Sequence, residues 1–316
     1  MKPFRFGIVI SRLPPSTWIG NARLIERLGY STICWPDHFR TQWEPVAALA
    51  AIAAVTKNLR VASLVYSVDY RHPVILAKTA ATIHLLSKGR HEFGIGAGWM
   101  KNDYVQAGIP FESPKLRIER LNEALEIIRR IWTQEQTSFS GKHYKVENVP
   151  KAVELSDLQT PRIFVGGGGE RILEVAARHA DIIGITPTFK GGEFGSHNIL
   201  DFSLRRIREK VMFTRERVEA AGRDPEKIEF STNVFGLNLT NDPKPILEEI
   251  AKRWNVGIED IEACGLFLIG SGNEIRAKLE RQRNETGISY VAISESNPVA
   301  WKEFAHSVLK PLTKTL

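Results

Sequence analysis

Only two cysteines stand among the 316 residues, Cys34 and Cys264, and neither belongs to a Cys-x-x-Cys pair. That excludes a disulfide framework and the small secreted folds that depend on one, so a reduced, cytoplasmic protein is expected. Long apolar runs are also missing. The longest, Pro45–Val55, is mostly alanine and far shorter than the roughly 20 residues a membrane-spanning helix needs. The first apolar run ends by Ile10 with no small-residue cleavage site after it, so neither a secretory leader nor a membrane role is expected.

Several signatures of chemistry are absent as well. The eight histidines and two cysteines show no His-Glu-x-x-His or Cys/His ligand spacing, so no metal site is expected. No Gly-x-Ser-x-Gly elbow occurs, which argues against a serine nucleophile. A dinucleotide fingerprint needs a third glycine where Gly166-x-Gly168 has Arg171 and Gly94-x-Gly96 has Trp99; the one Gly-Lys pair, Gly141-Lys142, runs into His143, so there is no nucleotide P-loop. Lys and Arg exceed Asp and Glu by 43 to 36, a net charge of +7. The basic residues are dispersed, which speaks against nucleic acid. They make either a solvated basic surface or a positive field that gathers an anion such as a phosphorylated cofactor.

What is present is alternation. Short apolar, β-rich runs at Phe4–Ile10, Ser31–Trp35, Arg60–Val65, His91–Gly96, Arg162–Val165, Asp181–Thr186, Lys227–Leu239 and Ser289–Ser294 are separated by amphipathic stretches. Near-continuous Ile, Val, Leu and Phe mark parallel strands covered on both faces. Helix signals fill the gaps. Trp18, Ala22, Ile25 and Leu28 share one face before Gly29, Pro73 and Gly89 bracket another helix, and Leu121, Ala124, Leu125, Ile128 and Trp132 keep helical spacing. Asn297-Pro298 opens a last helix whose buried face is Trp301, Phe304, Ala305, Val308 and Leu309.

Eight such units fit a closed barrel or an open doubly wound sheet. The first strand runs into Ser11-Arg12-Leu13-Pro14-Pro15 without a glycine, which favours the barrel. The expected fold is therefore an α/β (β/α)₈ TIM barrel, one domain over residues 1–316, with insertions over the C-terminal mouth at about 135–160 and 187–226.

Function in such a barrel gathers at the C-terminal strand ends, and unusual residues fall there. The run Gly166-Gly167-Gly168-Gly169 before Glu170-Arg171 is either a flexible turn or a phosphate cradle: glycines let N–H groups converge, the helix start adds positive charge, and Arg171 offers a charged donor. Asp37-His38 is the acid–base candidate, with Asp37 holding the tautomer of His38, against the alternative of a satisfied structural histidine. Ala97-Gly98-Trp99 offers small residues and an aromatic to a flat ring, or Trp99 packs at the rim. Asn102, one turn on, is placed for a cofactor tail, and Trp43 is either a pocket wall or a helix-start packing residue.

These residues resemble a known family. Trp35-Pro36-Asp37-His38, Ala53-Ala54-Val55-Thr56, Arg71-His72-Pro73-Val74-Ile75-Leu76-Ala77, Leu85-Leu86-Ser87-x-Gly89-Arg90, the Gly94–Trp99 run and Ala176-Ala177-Arg178-His179-Ala180-Asp181 are similar to luciferase-like monooxygenases, most of all the branch that uses coenzyme F420. The resemblance implies a deazaflavin ring across the barrel mouth and its phosphate on Gly166–Gly169. It also implies a non-prolyl cis peptide at Ser63-Leu64, so that Ser63, Leu64 and Val65 back the ring, and a homodimer. One departure matters: the sugar-phosphate dehydrogenases of that branch carry a glutamate acid where Trp99 stands, which argues against that substrate class. The expected function is hydride transfer between F420 and a small organic substrate. The alternatives are an FMN-dependent monooxygenase supplied by a partner reductase, and a non-catalytic cofactor-binding barrel.

Overall fold

Residues 1–153 and 158–313 are described by the computed structural model. The barrel strands are β1 Arg5–Val9, β2 Thr32–Trp35, β3 Arg60–Ser63, β4 His91–Gly96, β5 Arg162–Gly167, β6 Ile182–Ile185, β7 Glu229–Val234 and β8 Tyr290–Ser294. Each pairs in parallel with the next, β8 returns to β1, and Val61 opposite His91 joins β3 to β4, so the sheet is a closed (β/α)₈ barrel. The principal helices outside it are α1 Trp18–Leu28, α2 Pro45–Val55, α3 Pro73–Leu86, α4 Pro114–Thr133, α5 Glu170–His179, α6 Leu204–Ala220, α7 Gly272–Thr286 and α8 Pro298–Phe304. No helix among the described residues is long and apolar enough to cross a membrane.

The main core lies between strands and helices. Leu76 and Ala80 of α3, Leu121, Leu125 and Ile128 of α4, and Trp301 and Phe304 of α8 are all fully buried, each large side chain contributing about 1.5–3 kcal/mol. Start and stop signals work as the sequence suggests: Gly29 ends α1 at φ 93°, and the Asn297 side chain accepts a hydrogen bond from Val299 N at the start of α8.

Inside the barrel the filling changes character along the axis. Arg5 on β1 donates to both oxygens of Glu229 on β7 (2.5 and 3.0 Å) and to Glu92 on β4 (2.9 Å). Side chains from strands that are not neighbours can meet only across the interior, so this network plugs the N-terminal end. Arg60 and Arg162 add a second cation to each acid, and the Arg5 guanidinium lies 3.5 Å from the Tyr290 ring centroid. Next come Cys34, Phe164, Ile182 and Tyr290. Gly184 makes room there, since a Cβ on it would stand 2.6 Å from the Phe164 ring.

Three stretches depart from the sequence reading. The seventh strand breaks at Phe235, because Phe235 N and Gly236 N both turn to Leu266 O (2.8 and 3.1 Å). Gly236–Leu239 then leaves the barrel and pairs in parallel with Phe267–Gly270. Residues 136–150 form an antiparallel hairpin, Gln136–Ser140 with Lys145–Pro150, that packs on α4; residues 154–157 of that expected insertion lie outside the described residues. Of 187–226, only the first part borders the mouth, while α6 packs on α5 and α7 as an ordinary crossover helix.

Burial pushes the Glu229 carboxyl up, and the Arg5 hydrogen bond with the charges of Arg5 and Arg162 more than offsets this, leaving it below the usual range. Such a group stabilises fully above its unfolded pKa, and the stabilisation is lost as pH falls towards the depressed folded value. Arg5→Met should cost about 3–5 kcal/mol in urea unfolding at neutral pH. The stability gap between wild type and Glu229→Gln should narrow as pH falls below about 4.3. A pH-independent gap would show that the network does not hold the barrel.

Candidate active site

A cavity of 1370 Å³ opens at the C-terminal strand ends, reaching from Val9 and Gly96 across Gly166 and Thr186 to Asn233 and Ser294. All six glycine-run residues, Gly166, Gly167, Gly168, Gly169, Glu170 and Arg171, border it. Their glycines divide into two kinds. A Cβ on Gly167 would lie 2.3 Å from Ile172, and one on Gly168 2.3 Å from Thr186 O, so packing alone demands glycine at both. A Cβ on Gly166 or Gly169 would meet nothing nearer than 3.5 or 3.9 Å; their bareness leaves space on the cavity side. Gly169 caps α5 without a side chain to accept from the first-turn N–H groups. Those donors and the helix dipole suit a phosphate.

The opposite wall is a bulge between β3 and the short strand Tyr66–Ser67. The cis peptide there is Leu64–Val65, one residue beyond the expected Ser63–Leu64. Ser63 still belongs to β3: its hydroxyl donates to Gly94 O (2.8 Å) and accepts from Gly94 N (2.9 Å). Ser63 is thus buried behind the wall, and Leu64 and Val65 form its surface. The glycines of β4 are matched to that bulge. A Cβ on Gly94 would stand 2.0 Å from Ser63 O, and one on Gly96 2.8 Å from Val65.

His38 borders the cavity, but its partner is not the adjacent Asp37. Its Nδ1 lies 2.6 Å from Asp103 Oδ2, on the short helix Lys101–Ala107, and Asp103 Oδ1 accepts from Phe39 N (3.3 Å). Asp103 is fully buried. An ionised carboxylate can only accept, so Nδ1 keeps its hydrogen and donates it to Asp103, and in the neutral ring Nε2 is the acceptor nitrogen. Asp37 instead accepts from Arg71 (2.6 and 3.2 Å) and from Ser67 N (3.1 Å), tying the end of β2 to the bulge. Both residues lie beyond the end of β2, and their side chains turn to different elements, Asp37 to the bulge and Arg71, His38 to the helix after β4.

Ala97, Gly98 and Trp99 all border the cavity. Trp99 stacks on Phe189 (centroids 4.3 Å apart, 29°) and meets His38 edge-on at 5.9 Å. Tyr70 also borders it, with burial holding its hydroxyl above the usual range and therefore protonated. Two expected residues stand elsewhere. Asn102 is exposed on the solvent side of its helix, one residue from Asp103 and so turned away from it. Trp43 stacks behind the site on Trp35 (5.8 Å) and Trp18 (6.4 Å), and its carbonyl accepts from Trp35 Nε1.

Sequence reading also missed the anchor of the loop that carries Phe189. Lys210 of α6, buried, donates to Thr186 O (3.0 Å) and Asp201 Oδ2 (2.7 Å), and that carboxylate also accepts from Thr188 N (2.9 Å). Burial lowers the Lys210 pKa, partly opposed by Asp201. The signal was faint: one lysine in a highly charged helix. Among the described residues, no group of three His, Cys, Asp or Glu is placed to hold a metal ion.

If Asp103 fixes the imidazole, ¹⁵N-resolved spectra at pH 8 should show His38 as a single Nδ1–H tautomer, assigned by difference with His38→Gln. Asp103→Ala should turn that signal into a tautomer mixture. An unchanged signal would remove Asp103 from the site.

The model of the luciferase-like monooxygenase family matches residues 11–254 of the chain. Among curated proteins, the F420-dependent glucose-6-phosphate dehydrogenase of Kribbella flavida is 28% identical over 276 residues, covering 77% of this chain and 80% of that protein. Its counterpart from Amycolatopsis mediterranei is 24% identical over 269 residues, covering 75% and 80%. Among solved structures, an F420-dependent secondary alcohol dehydrogenase in complex with an F420–acetone adduct superposes with a TM-score of 0.81 at 16% identity, over 99% of each chain. A long-chain alkane monooxygenase does so at 0.80 and 17%, over 99% of this chain and 92% of that one. These structural likenesses are of fold. The family match spans well over half the sequence, and the chain belongs to the luciferase-like monooxygenase family.

Proposed function

We propose that the chain is a coenzyme F420-dependent oxidoreductase acting on a small organic substrate. The observation that carries the reading is the uncapped, glycine-walled start of α5 facing the Leu64–Val65 bulge across one cavity. The relatives named F420-dependent support it. When bound, the deazaflavin supplies a two-electron hydride donor or acceptor at C5. The residues do the rest. N–H groups of Gly168–Arg171 hold the phosphate, Leu64 and Val65 support the ring, and His38 Nε2 takes or returns the substrate proton while Asp103 holds the imidazole in place.

F420 is favoured over FMN by what lies past the phosphate. A second cleft of 440 Å³ continues from Arg171 between α4, the hairpin turn and α5, with Lys115, Lys142 and Arg178 along it. Two of its three acids are engaged, Glu119 with Lys142 (2.7 Å) and Glu123 with the N–H groups of Lys142, His143 and Tyr144, and the third, Glu174, is outnumbered by the two arginines of its own helix, Arg171 and Arg178. That leaves Arg171 and Arg178, without an ion pair among the described residues, for an anionic tail that FMN lacks. Sugar-phosphate oxidation, the activity named for those relatives, is not carried over, because Trp99 offers no acid and Phe189 lies against it.

Calorimetry should find F420 bound more tightly than FMN at low salt, the advantage shrinking as ionic strength screens the exposed arginines. The double variant Gly166→Ala/Gly169→Ala should keep its melting temperature and lose at least about tenfold in F420 affinity, about 1.4 kcal/mol. His38→Ala should slow turnover by about 10²–10⁴ with affinity little changed. If FMN binds more tightly at every salt concentration and its reduced complex consumes oxygen quickly, the chain is instead a monooxygenase fed by a partner reductase.

A further inference from the structure

Lys210 holds more than the loop that begins after β6. The carbonyl of Thr186, which accepts from Lys210 Nζ (3.0 Å), is also what Gly168 packs against: a Cβ there would stand 2.3 Å from that oxygen and 2.5 Å from Pro187. The ammonium also donates to Asp201 O (3.3 Å) and Oδ2 (2.7 Å). The same carboxylate accepts from Thr188 N (2.9 Å) and from Arg206 Nε and Nη2 (3.3 and 3.1 Å). All three donors of the buried ammonium are therefore used. A buried ion pair gains little stability over apolar packing; this one fixes two backbone groups, one on each side of Pro187, against the glycine run.

Beyond that base the loop reaches back round the rim. Phe189 stacks on Trp99 (4.3 Å), and Gly192 O accepts from Lys101 N (3.3 Å). Gly192 has φ 83°, and a Cβ on it would stand 2.8 Å from both Trp99 O and Lys101 Cβ, so the tip lies flush on the chain leaving β4. Phe194 then returns to Phe235 beyond β7. Thr186–Gly192 thus bridges the exits of β6 and β4.

The walls assigned to the cofactor stand at the exits of β3, with Leu64 and Val65, and of β5, with Gly168–Arg171. The exits of β3, β4, β5 and β6 follow one another round the rim. A line from the third to the fifth must cross a line from the fourth to the sixth. The cofactor's walls are strand-end backbone, so the bridge is the outer of the two.

We infer that Thr186–Gly192 is a strap that closes over the bound cofactor and lifts to admit it, and that Lys210 is the positioning residue that holds its base against the glycine run. The inference rests on the cofactor reading for the line that the strap crosses; the strap's own contacts need no cofactor. The tip is fastened by the Lys101 hydrogen bond and the Trp99 stack, the base by a buried ion pair, so the tip is the part that moves. A cation of α6 thereby acts on cofactor entry without touching the cofactor, and the closed strap keeps water from the ring.

Stopped-flow binding of F420 and hydrogen exchange of the free protein, both on the full chain, test this. Phe189→Ala frees the tip and should raise the association rate at least about threefold and the dissociation rate at least about tenfold. Faster association is the diagnostic sign, because losing an ordinary contact acts mostly on dissociation. Lys210→Met should quicken both rates too. In the free protein it should speed amide exchange at 187–195 and also at 99–103, where the tip rests, and leave 229–234 unchanged. Lys210→Arg should restore part of each effect. A lysine of purely structural use would lower the melting temperature without quickening association. Association unchanged or slower in Phe189→Ala overturns the inference, even where Lys210→Met fails to fold, and so does exchange in Lys210→Met confined to 187–201. If F420 does not bind at all, the cofactor reading falls instead, and the same rates measured with FMN decide the strap.

Discussion

An eight-stranded barrel has an interior just wide enough for side chains to fill, so whatever occupies one end decides what is left at the other. Here the N-terminal end is filled by charge. Arg5 reaches across from β1 to Glu92 on β4 and Glu229 on β7, and the Tyr290 ring lies under its guanidinium. Removing one member of such a group strands the others without water, so the plug is all-or-none. With Phe164 and Tyr290 completing the layer above, the remaining volume is pushed to the C-terminal end, where it appears as a single large cavity.

That cavity is shaped by backbone more than by side chains. The bulge at Leu64–Val65 needs the bare faces of Gly94 and Gly96, and the turn before α5 needs Gly167 and Gly168 against Ile172 and Thr186. Rigid strand ends therefore set the spacing between the two walls, and Gly166 and Gly169 leave the anion side open. Side chains enter where chemistry requires them: His38 braced by Asp103, and an aromatic loop held at its base by Lys210 and Asp201. The division of labour is consistent with a cofactor that brings the reactivity and a protein that brings position and a proton.

Much of this was legible in the sequence. Strands covered on both faces show as unbroken apolar runs, and glycines at strand ends mark the mouth, so the barrel is where the pattern put it and Gly166–Gly169 and Ala97–Trp99 border its cavity. Leu64 and Val65, by contrast, were indicated only by the family resemblance, which set the cis peptide one residue early. What was not legible depended on partners far along the chain. Asp37 beside His38 suggested a pair, yet Asp37 is taken by Arg71 and Ser67, and the partner of His38 lies 65 residues on. Asn102 and Asp103 exchange roles because one residue on a helix is about 100° of rotation. Trp43, open in the sequence between pocket wall and helix-start packing, is a brace behind Trp35, and Lys210 was one cation among many until the fold buried it.

The central claim, that the bare start of α5 and the Leu64–Val65 bulge together hold a deazaflavin, is tested most directly by a crystal structure of the chain with oxidised F420. The phosphate should lie within hydrogen-bonding distance of the backbone nitrogens of Gly168–Arg171, about 2.7–3.2 Å, with the ring against Leu64 and Val65 and within reach of His38. A phosphate bound anywhere else, or a ring lying in the arc of β7 and β8, would contradict it.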